Sequence, residues 1–238
     1  MKRRIFDALR RATAAKLPTA LVTDLGTGMQ TLVHPEHVEG DAGLEDELLE
    51  MVRQALREDR SGIIEFYEGR YFIQAVNPPL RLILVGAVHI AQALAPMAAL
   101  AGYEVVVVDP RRAFATDARF PSVSLNGDWP DDALRTLAPD RRTAVVTLTH
   151  DPKLDDPALI AALESPAFYI GALGSRKTHA GRLARLREAG VAEDRLARIH
   201  GPVGLDIGAL TPAEIAVAIL AQVTLALRGG PKARADGA

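Results

Sequence analysis

Apolar positions change their spacing partway along this 238-residue chain. Up to about residue 77 the pattern is mixed. Residues 2–15 predict a helix, Thr19-Ala20-Leu21-Val22-Thr23 a strand, and Gly26-Thr27-Gly28 a turn into Thr31-Leu32-Val33. Apolar residues at 44, 48, 49, 52 and 56 follow a helical period. Gly62 to Tyr67 and Tyr71 to Val76, joined at Glu68-Gly69, predict a hairpin. Asn77-Pro78-Pro79 ends it and reads as a linker.

Beyond the linker, short continuous apolar runs alternate with helical stretches. Strands are predicted at 82–85, 104–108, 123–125, 144–149, 168–170 and 198–200. Helices are predicted at 89–101, 131–137, 157–163, 175–189 and 212–228. Strands apolar on both faces and separated by helices imply a parallel sheet covered on both sides. The expected fold is therefore α/β: a small N-terminal α/β domain over 1–77, then a Rossmann-like, doubly wound parallel sheet over 80–228. Residues 229–238 are expected to form a disordered tail. Thr211, Pro212 and Glu214 make a capping box with proline at the first helical position, which fixes the start of the last helix.

Composition narrows the chemistry. A net charge of −2 offers nucleic acid or an anionic membrane no bulk attraction. With no cysteine, this chain holds no disulfide, thiolate nucleophile, iron–sulfur cluster or persulfide carrier. The longest apolar run, Ile215 to Leu227, is too short for a bilayer span, and the start of the chain lacks the apolar core of a signal peptide, so the expected compartment is the cytoplasm. No HExxH, GxSxG or P-loop is present.

Ligands of doubly wound sheets bind outside the carboxyl ends of the strands, and four unusual segments fall there. Gly86-Ala87-Val88-His89-Ile90-Ala91 is close to G-x-G-x-x-G/A, but Val88 stands where the second glycine lets a pyrophosphate approach. Asp109 lies at the position of a ribose-binding carboxylate, followed by Arg111 and Arg112. Thr149 to Asp156 brings His150, Asp151 and Lys153 to one strand end, with Asp155 or Asp156 expected to cap the following helix. In Gly171-Ala172-Leu173-Gly174-Ser175-Arg176-Lys177 the two cations oppose the helix dipole unless an anion binds there, so Gly171, Gly174, Ser175, Arg176 and Lys177 form a candidate phosphate cradle. The loop 200–209 carries three glycines, among them Gly204, and one acid, Asp206. His179 reads as an ordinary surface or half-buried histidine. His34 and His37, near Glu36 and Glu39, read as a polar loop before a metal site.

Taken together, the segments 86–91, 148–156, 169–176 and 201–208 resemble the XdhC/CoxF (XdhC/CoxI) family of accessory proteins to xanthine dehydrogenase, carbon monoxide dehydrogenase and related molybdenum hydroxylases. The resemblance covers residues 80–228. It implies a maturation factor more than a working dehydrogenase. Such a chaperone binds molybdenum cofactor, as molybdopterin or its dinucleotide form, while the cofactor gains its sulfido ligand, and passes it to the apo-hydroxylase. A separate cysteine desulfurase supplies the sulfur, and a homodimer is the default assembly. Two departures stand out. Val88 replaces the usual glycine. The N-terminal Gly-Gly-Cys-x-Glu segment of the family is missing, leaving Asp24-Leu25-Gly26-Thr27-Gly28 as a worn version of its Gly-Ser turn. The alternative reading is an NAD(P)-dependent oxidoreductase with Asp109 on the ribose and His150 as acid or base.

Overall fold

The computed structural model describes residues 2–41 and 43–229. The chain divides into two compact units, Met1–Pro78 and Pro79–Ala238. Most of the expected tail, residues 230–238, lies outside the described residues; Gly229 is the left-handed C-cap of the last helix, with φ of 75°.

The first unit contains α1 (Arg3–Ala14), β1 (Thr19–Asp24), β2 (Gln30–Val33), β3 (Val38–Gly40), α2 (Asp46–Arg57), β4 (Gly62–Phe66) and β5 (Gly69–Val76). Its strands form an antiparallel sheet in the order β3-β2-β1-β5-β4. Alternation along β1 sends Ala20 and Val22 toward α2, where Leu48, Val52 and Ala55 meet them, and Leu21 toward Ile5 and Ala8 of α1. The sheet is covered on both faces, so β1 is apolar at consecutive positions. His34 is buried, faces Thr19 Oγ1 at 3.1 Å and stacks on His37 at 4.1 Å.

The second unit runs β6 (Leu80–Val85), α3 (His89–Leu100), β7 (Tyr103–Val108), β8 (Ser124–Asn126), α4 (Pro130–Leu137), β9 (Thr143–Thr147), α5 (Pro152–Glu164), β10 (Tyr169–Ala172), α6 (Arg176–Glu188), α7 (Glu193–Leu196), β11 (Ile199–His200) and α8 (Pro212–Arg228). Its six strands are all parallel, in the order β11-β10-β9-β6-β7-β8. This is the order of a doubly wound Rossmann sheet. Leu82, Leu84, Val107 and Val146 face α3 and α8, whereas Ile83, Val85, Val145 and Ile170 face the side of α4, α5 and α6. From β6 the chain moves outward to β7 and β8, then returns to β9 on the other flank. The loops after β6 and β9 therefore part at a switch point.

One boundary differs from expectation in a way that matters for the site. Helix α5 starts at Pro152, five residues before the predicted 157. Asp151 is its N-cap and accepts from the Lys153 amide at 3.0 Å, which puts Pro152 at the favourable first position. Pro157 then falls inside the helix. The carbonyl left without its helical donor is that of Lys153, four residues back and exposed, so water satisfies it at low cost.

Candidate functional site

The loop after β6 is built for close approach. Gly86 has φ of 113°, and a Cβ added there would lie 2.6 Å from Thr149 Cγ2. A side chain at this position would press on Thr149 at the base of the loop after β9. Val88 is the N-cap of α3 and packs against the apolar core, while His89 is exposed at the first position of that helix.

Asp109 is 0% exposed. Its Oδ2 accepts from the Ala87 amide at 2.8 Å and Arg111 Nη2 at 2.7 Å. Its Oδ1 accepts from the amide and Nε of Arg111, both at 2.9 Å. A carboxylate has about four acceptor sites, and all are occupied from within. Burial alone would raise this carboxyl, but the Arg111 side chain and the two amides outweigh it and hold it below the usual carboxylate range. In place of the free acceptor that a ribose contact would need, Asp109 here anchors the Gly86-Ala87 turn and aims Arg111. The NAD(P) reading loses its defining contact. The carboxylate at Asp109, with Asp151 and Asp155 in electrostatic reach, in turn raises the Arg111 guanidinium, which lies 4.7 Å from the Phe114 ring centre.

In the loop after β9 a second buried carboxylate does similar work. Asp155, 1% exposed, accepts from Thr149 Oγ1 at 2.7 Å and from the amides of Thr149 at 3.3 Å and His150 at 3.1 Å. This holds exposed His150 at φ of 62°, a left-handed conformation uncommon outside glycine. The capping expectation is corrected here. Asp151 caps α5, Asp155 folds back onto the loop, and Asp156 pairs with Arg185 at 2.6 and 3.0 Å. Lys153 points to solvent.

The loops after β10 and β11 meet each other. Val203 donates its amide to the Ala172 carbonyl at 3.1 Å, and a Cβ at Gly171 would strike Val203 Cγ2 at 2.6 Å. Gly204, with φ of 98°, sits against Ala218 of α8, and its amide donates to Gln222 Oε1 at 2.8 Å. Gln222 Oε1 also accepts from the Tyr169 hydroxyl at 2.5 Å. Burial pushes that hydroxyl well above the usual tyrosine range. Ser175 caps α6 by accepting from the Thr178 amide at 3.1 Å. Arg176 and Lys177 follow, both exposed. Between the two loops lies a cavity of about 410 Å³, lined by Leu173, Gly174, Arg176, Gly204, Asp206 and Ile215 among others.

The four loops thus touch in sequence along the sheet edge, and the cavity just described is lined from the loops after β10 and β11 and from α8. Of the residues singled out from sequence, Gly174, Arg176, Gly204 and Asp206 line the cavity. Gly171, Ser175 and Lys177 belong to the same loop but are not among the residues that line it. Gly86, Val88, His89, Asp109, His150, Asp151 and Lys153 belong to the other half of the edge. Three residues with structural weight are not identified by the sequence pattern: Asp155 as a loop clamp, Gln222, and Arg182 of α6. The readable signal for Arg182 is its place four residues before buried Leu186, on the inward face of its helix. His179 is half-buried, and both burial and nearby Arg182 lower its ring.

These features define a Rossmann-type α/β domain with a closed switch point and an open, cation-edged cavity to one side. The chain belongs to the XdhC family: the model of the XdhC Rossmann domain matches residues 82–223. It is 37% identical over 164 residues to the uncharacterised protein YqeB of Escherichia coli K12, covering 67% of this chain and 30% of that protein. It is 35% identical over 147 residues to the molybdenum cofactor insertion chaperone PaoD of the same organism, covering 62% and 40%. It is 35% identical over 153 residues to a probable xanthine dehydrogenase subunit of Bacillus subtilis 168, covering 64% and 44%. The crystal structure of a xanthine dehydrogenase from Bacillus halodurans matches with a TM-score of 0.71 and 27% identity, over 95% of this chain and 66% of that one. The chain spans less than half the length of these curated relatives. Among the described residues no helix is long and apolar enough to cross a membrane.

Proposed function

We propose that this protein is a molybdenum cofactor-binding accessory protein. In this reading it holds the cofactor, as molybdopterin or its dinucleotide form, during sulfuration and delivers it to an apo-hydroxylase of the xanthine dehydrogenase or carbon monoxide dehydrogenase type. Membership of the XdhC family and the likeness to an insertion chaperone support the class of function. The observation that carries the site is the cavity between the loops after β10 and β11. Its volume of about 410 Å³ falls in the range of small-molecule sites, roughly 300–1,000 Å³.

The donor set suits a pterin that ends in phosphate. Arg176 and the start of α6 offer cationic and amide donors to the anionic end. Exposed Asp206 offers an acceptor to ring N–H groups. Gly174 and Gly204 keep the walls free of side chains. Lacking cysteine, this chain cannot carry the sulfur as a persulfide, and we assign that step to a partner cysteine desulfurase. The proposed assembly is a homodimer and the proposed compartment the cytoplasm.

The test is anaerobic copurification from a molybdate-fed host, with molybdenum and pterin quantified together and then transferred to an apo-hydroxylase. Both should copurify with the wild-type chain in equal amounts and activate the acceptor. Arg176→Ala removes a charge-assisted contact of about 1.5–3 kcal/mol and should weaken retention about 10- to 100-fold. A folded wild-type chain that emerges with neither molybdenum nor pterin defeats the assignment.

A further inference from the structure

Between Glu214 and Arg228, α8 carries no charged residue. Ala216, Ile219 and Val223 account for part of this, because they face the sheet and are buried in its core. The outward positions are apolar as well: Val217 is 48% exposed and Leu225 41%. The two polar side chains in the stretch bond within the chain. Gln222 is held by Tyr169 and Gly204, and the Thr224 hydroxyl donates to the Leu220 carbonyl at 2.8 Å. Helix α3, packed beside it, has no charged residue from Ile90 to Leu100 and ends with Leu100 exposed. The helices on the other side of the sheet differ: Asp132 and Arg135 of α4 and Arg185 and Arg187 of α6 all face solvent. A helix that is apolar on every side is one that is covered on every side. Along the outer side of α3 and α8 runs a groove of about 590 Å³, lined by Met97, Leu205, Val217, Leu220 and Leu225 among others.

The order of residues along that face points to what covers it. Val217, Ala221 and Leu225 are four apart and so lie on one side of the helix. Glu214 and Arg228, both exposed, stand at its two ends. The amides of Thr211 and Leu210 fix the Glu214 carboxylate there and hold it below the usual range. Ala221 is the midpoint of both pairs: Val217 and Leu225 lie four residues from it, Glu214 and Arg228 seven. A two-fold axis through Ala221, perpendicular to the helix, lays a second α8 antiparallel on the first. It sets Val217 of each copy against Leu225 of the other, and Glu214 of each against Arg228 of the other. Every contact is made twice, and the antiparallel helix dipoles attract. A parallel pairing would instead set Glu214 on Glu214 and Arg228 on Arg228. Ala221, at the crossing, is small enough for the two backbones to approach closely.

We propose that the outer face of α8 is a self-association surface, paired antiparallel with the same helix of a second copy across a two-fold axis at Ala221. This gives the homodimer proposed above its interface and rests on that reading of the assembly; it is independent of the pterin. Met97 and Leu205, which line the same groove, widen the apolar seam beyond a single helix. Burial of the seam supplies the affinity. The ion pairs at its ends stay near solvent, where such pairs add little energy, and they set register and direction instead.

The absence of cysteine makes the axis directly testable. A residue on a two-fold axis meets its own copy, so Ala221→Cys, as the sole thiol of the full chain, should cross-link to a dimer under mild oxidation. Val217→Cys alone should not, because its copy is displaced by about 12 Å along the helix, beyond the reach of a disulfide. Val217→Cys combined with Leu225→Cys should cross-link again. Light scattering at micromolar concentration should give the wild type the mass of two chains. Val217→Asp places two unpaired carboxylates in the seam and should raise the dimer dissociation constant about 100-fold. Its circular dichroism should match the wild type, since Val217 lies at the surface of the single chain. Arg228→Glu, which sets like charges at both ends, should raise the constant about 10-fold. A dimer that survives Val217→Asp, or whose Ala221→Cys form does not cross-link, overturns the interface and leaves the homodimer standing. A monomeric wild type overturns both. If that monomer binds an apo-hydroxylase and Val217→Asp abolishes the binding, the face belongs to the hydroxylase and the pairing is again overturned.

Discussion

The two halves of the sheet edge treat a buried charge in opposite ways. At the switch point beside β6 and β7, Asp109 has every acceptor filled by Ala87 and Arg111. Beyond β9, Arg182 sits equally far from water with two nitrogens unmet. One half is satisfied from within and mechanically closed; the other is incomplete and borders a cavity. On the proposed reading, a Rossmann sheet keeps its strand order and glycine turn while the binding chemistry moves to the loops after β10 and β11. Position in the fold locates the edge where ligands bind, and hydrogen-bond occupancy tells which part of that edge is free to bind.

The sharpest way to break this contrast is Asp109→Ala. It strips the Ala87 amide of its acceptor and leaves the partly exposed Arg111 without a counter-charge, which should cost about 2–3 kcal/mol in urea denaturation. A loss below about 1 kcal/mol, the scale of an ordinary hydrogen bond, would mean that the closed half is not held by this carboxylate. Gly86→Ala comes next. Strain at φ of 113° and the approach to Thr149 Cγ2 should together cost about 1–3 kcal/mol, read as a lower thermal midpoint. Cofactor retention should survive in the molecules that remain folded, since Gly86 does not line the cavity. Loss of retention in step with Arg176→Ala would erase the distinction between the halves.

The smallest effect is a pH dependence of opposite sign at the two carboxylates. Asp109 is held below its unfolded value, so its contribution is present above the ordinary carboxylate range and is lost as pH falls through the folded value. Asp155 is raised by burial, which outweighs the opposing hydrogen bonds from Thr149. Its contribution is present below the unfolded value and is lost as pH rises through the folded one. Compared by denaturation at pH 7, 5 and 4, the stability advantage of wild type over Asp109→Asn should shrink toward low pH. The advantage over Asp155→Asn should grow. Parallel trends in the two variants would refute the assigned environments.

Much of this is legible in the sequence, and what is not has physical causes. Leu82 to Val85 and Ala144 to Val146 announce central parallel strands because both faces must be apolar. Strand β3, three residues and mostly exposed, and α7, a single polar turn, carry no such period and escape the pattern. The start of α5 is displaced from its predicted place because two prolines compete for the same role, and the cap at Asp151 decides between them. Asp109 stands at the strand end where the sequence puts it, but with a different partner. Nothing in a linear pattern reveals that Arg111, two residues on, folds back to occupy it. Arg182 lies 27 residues from Asp155 in the chain, a pairing that only the tertiary fold creates.

Gln222 makes the cavity wall and the last helix a single rigid piece. One oxygen clasps both the Tyr169 hydroxyl and the Gly204 amide, so α8 cannot shift along its axis without tearing that clasp or dragging the glycine with it. Replacing Gln222 would therefore loosen the end of β10, the glycine loop and the last helix in one stroke.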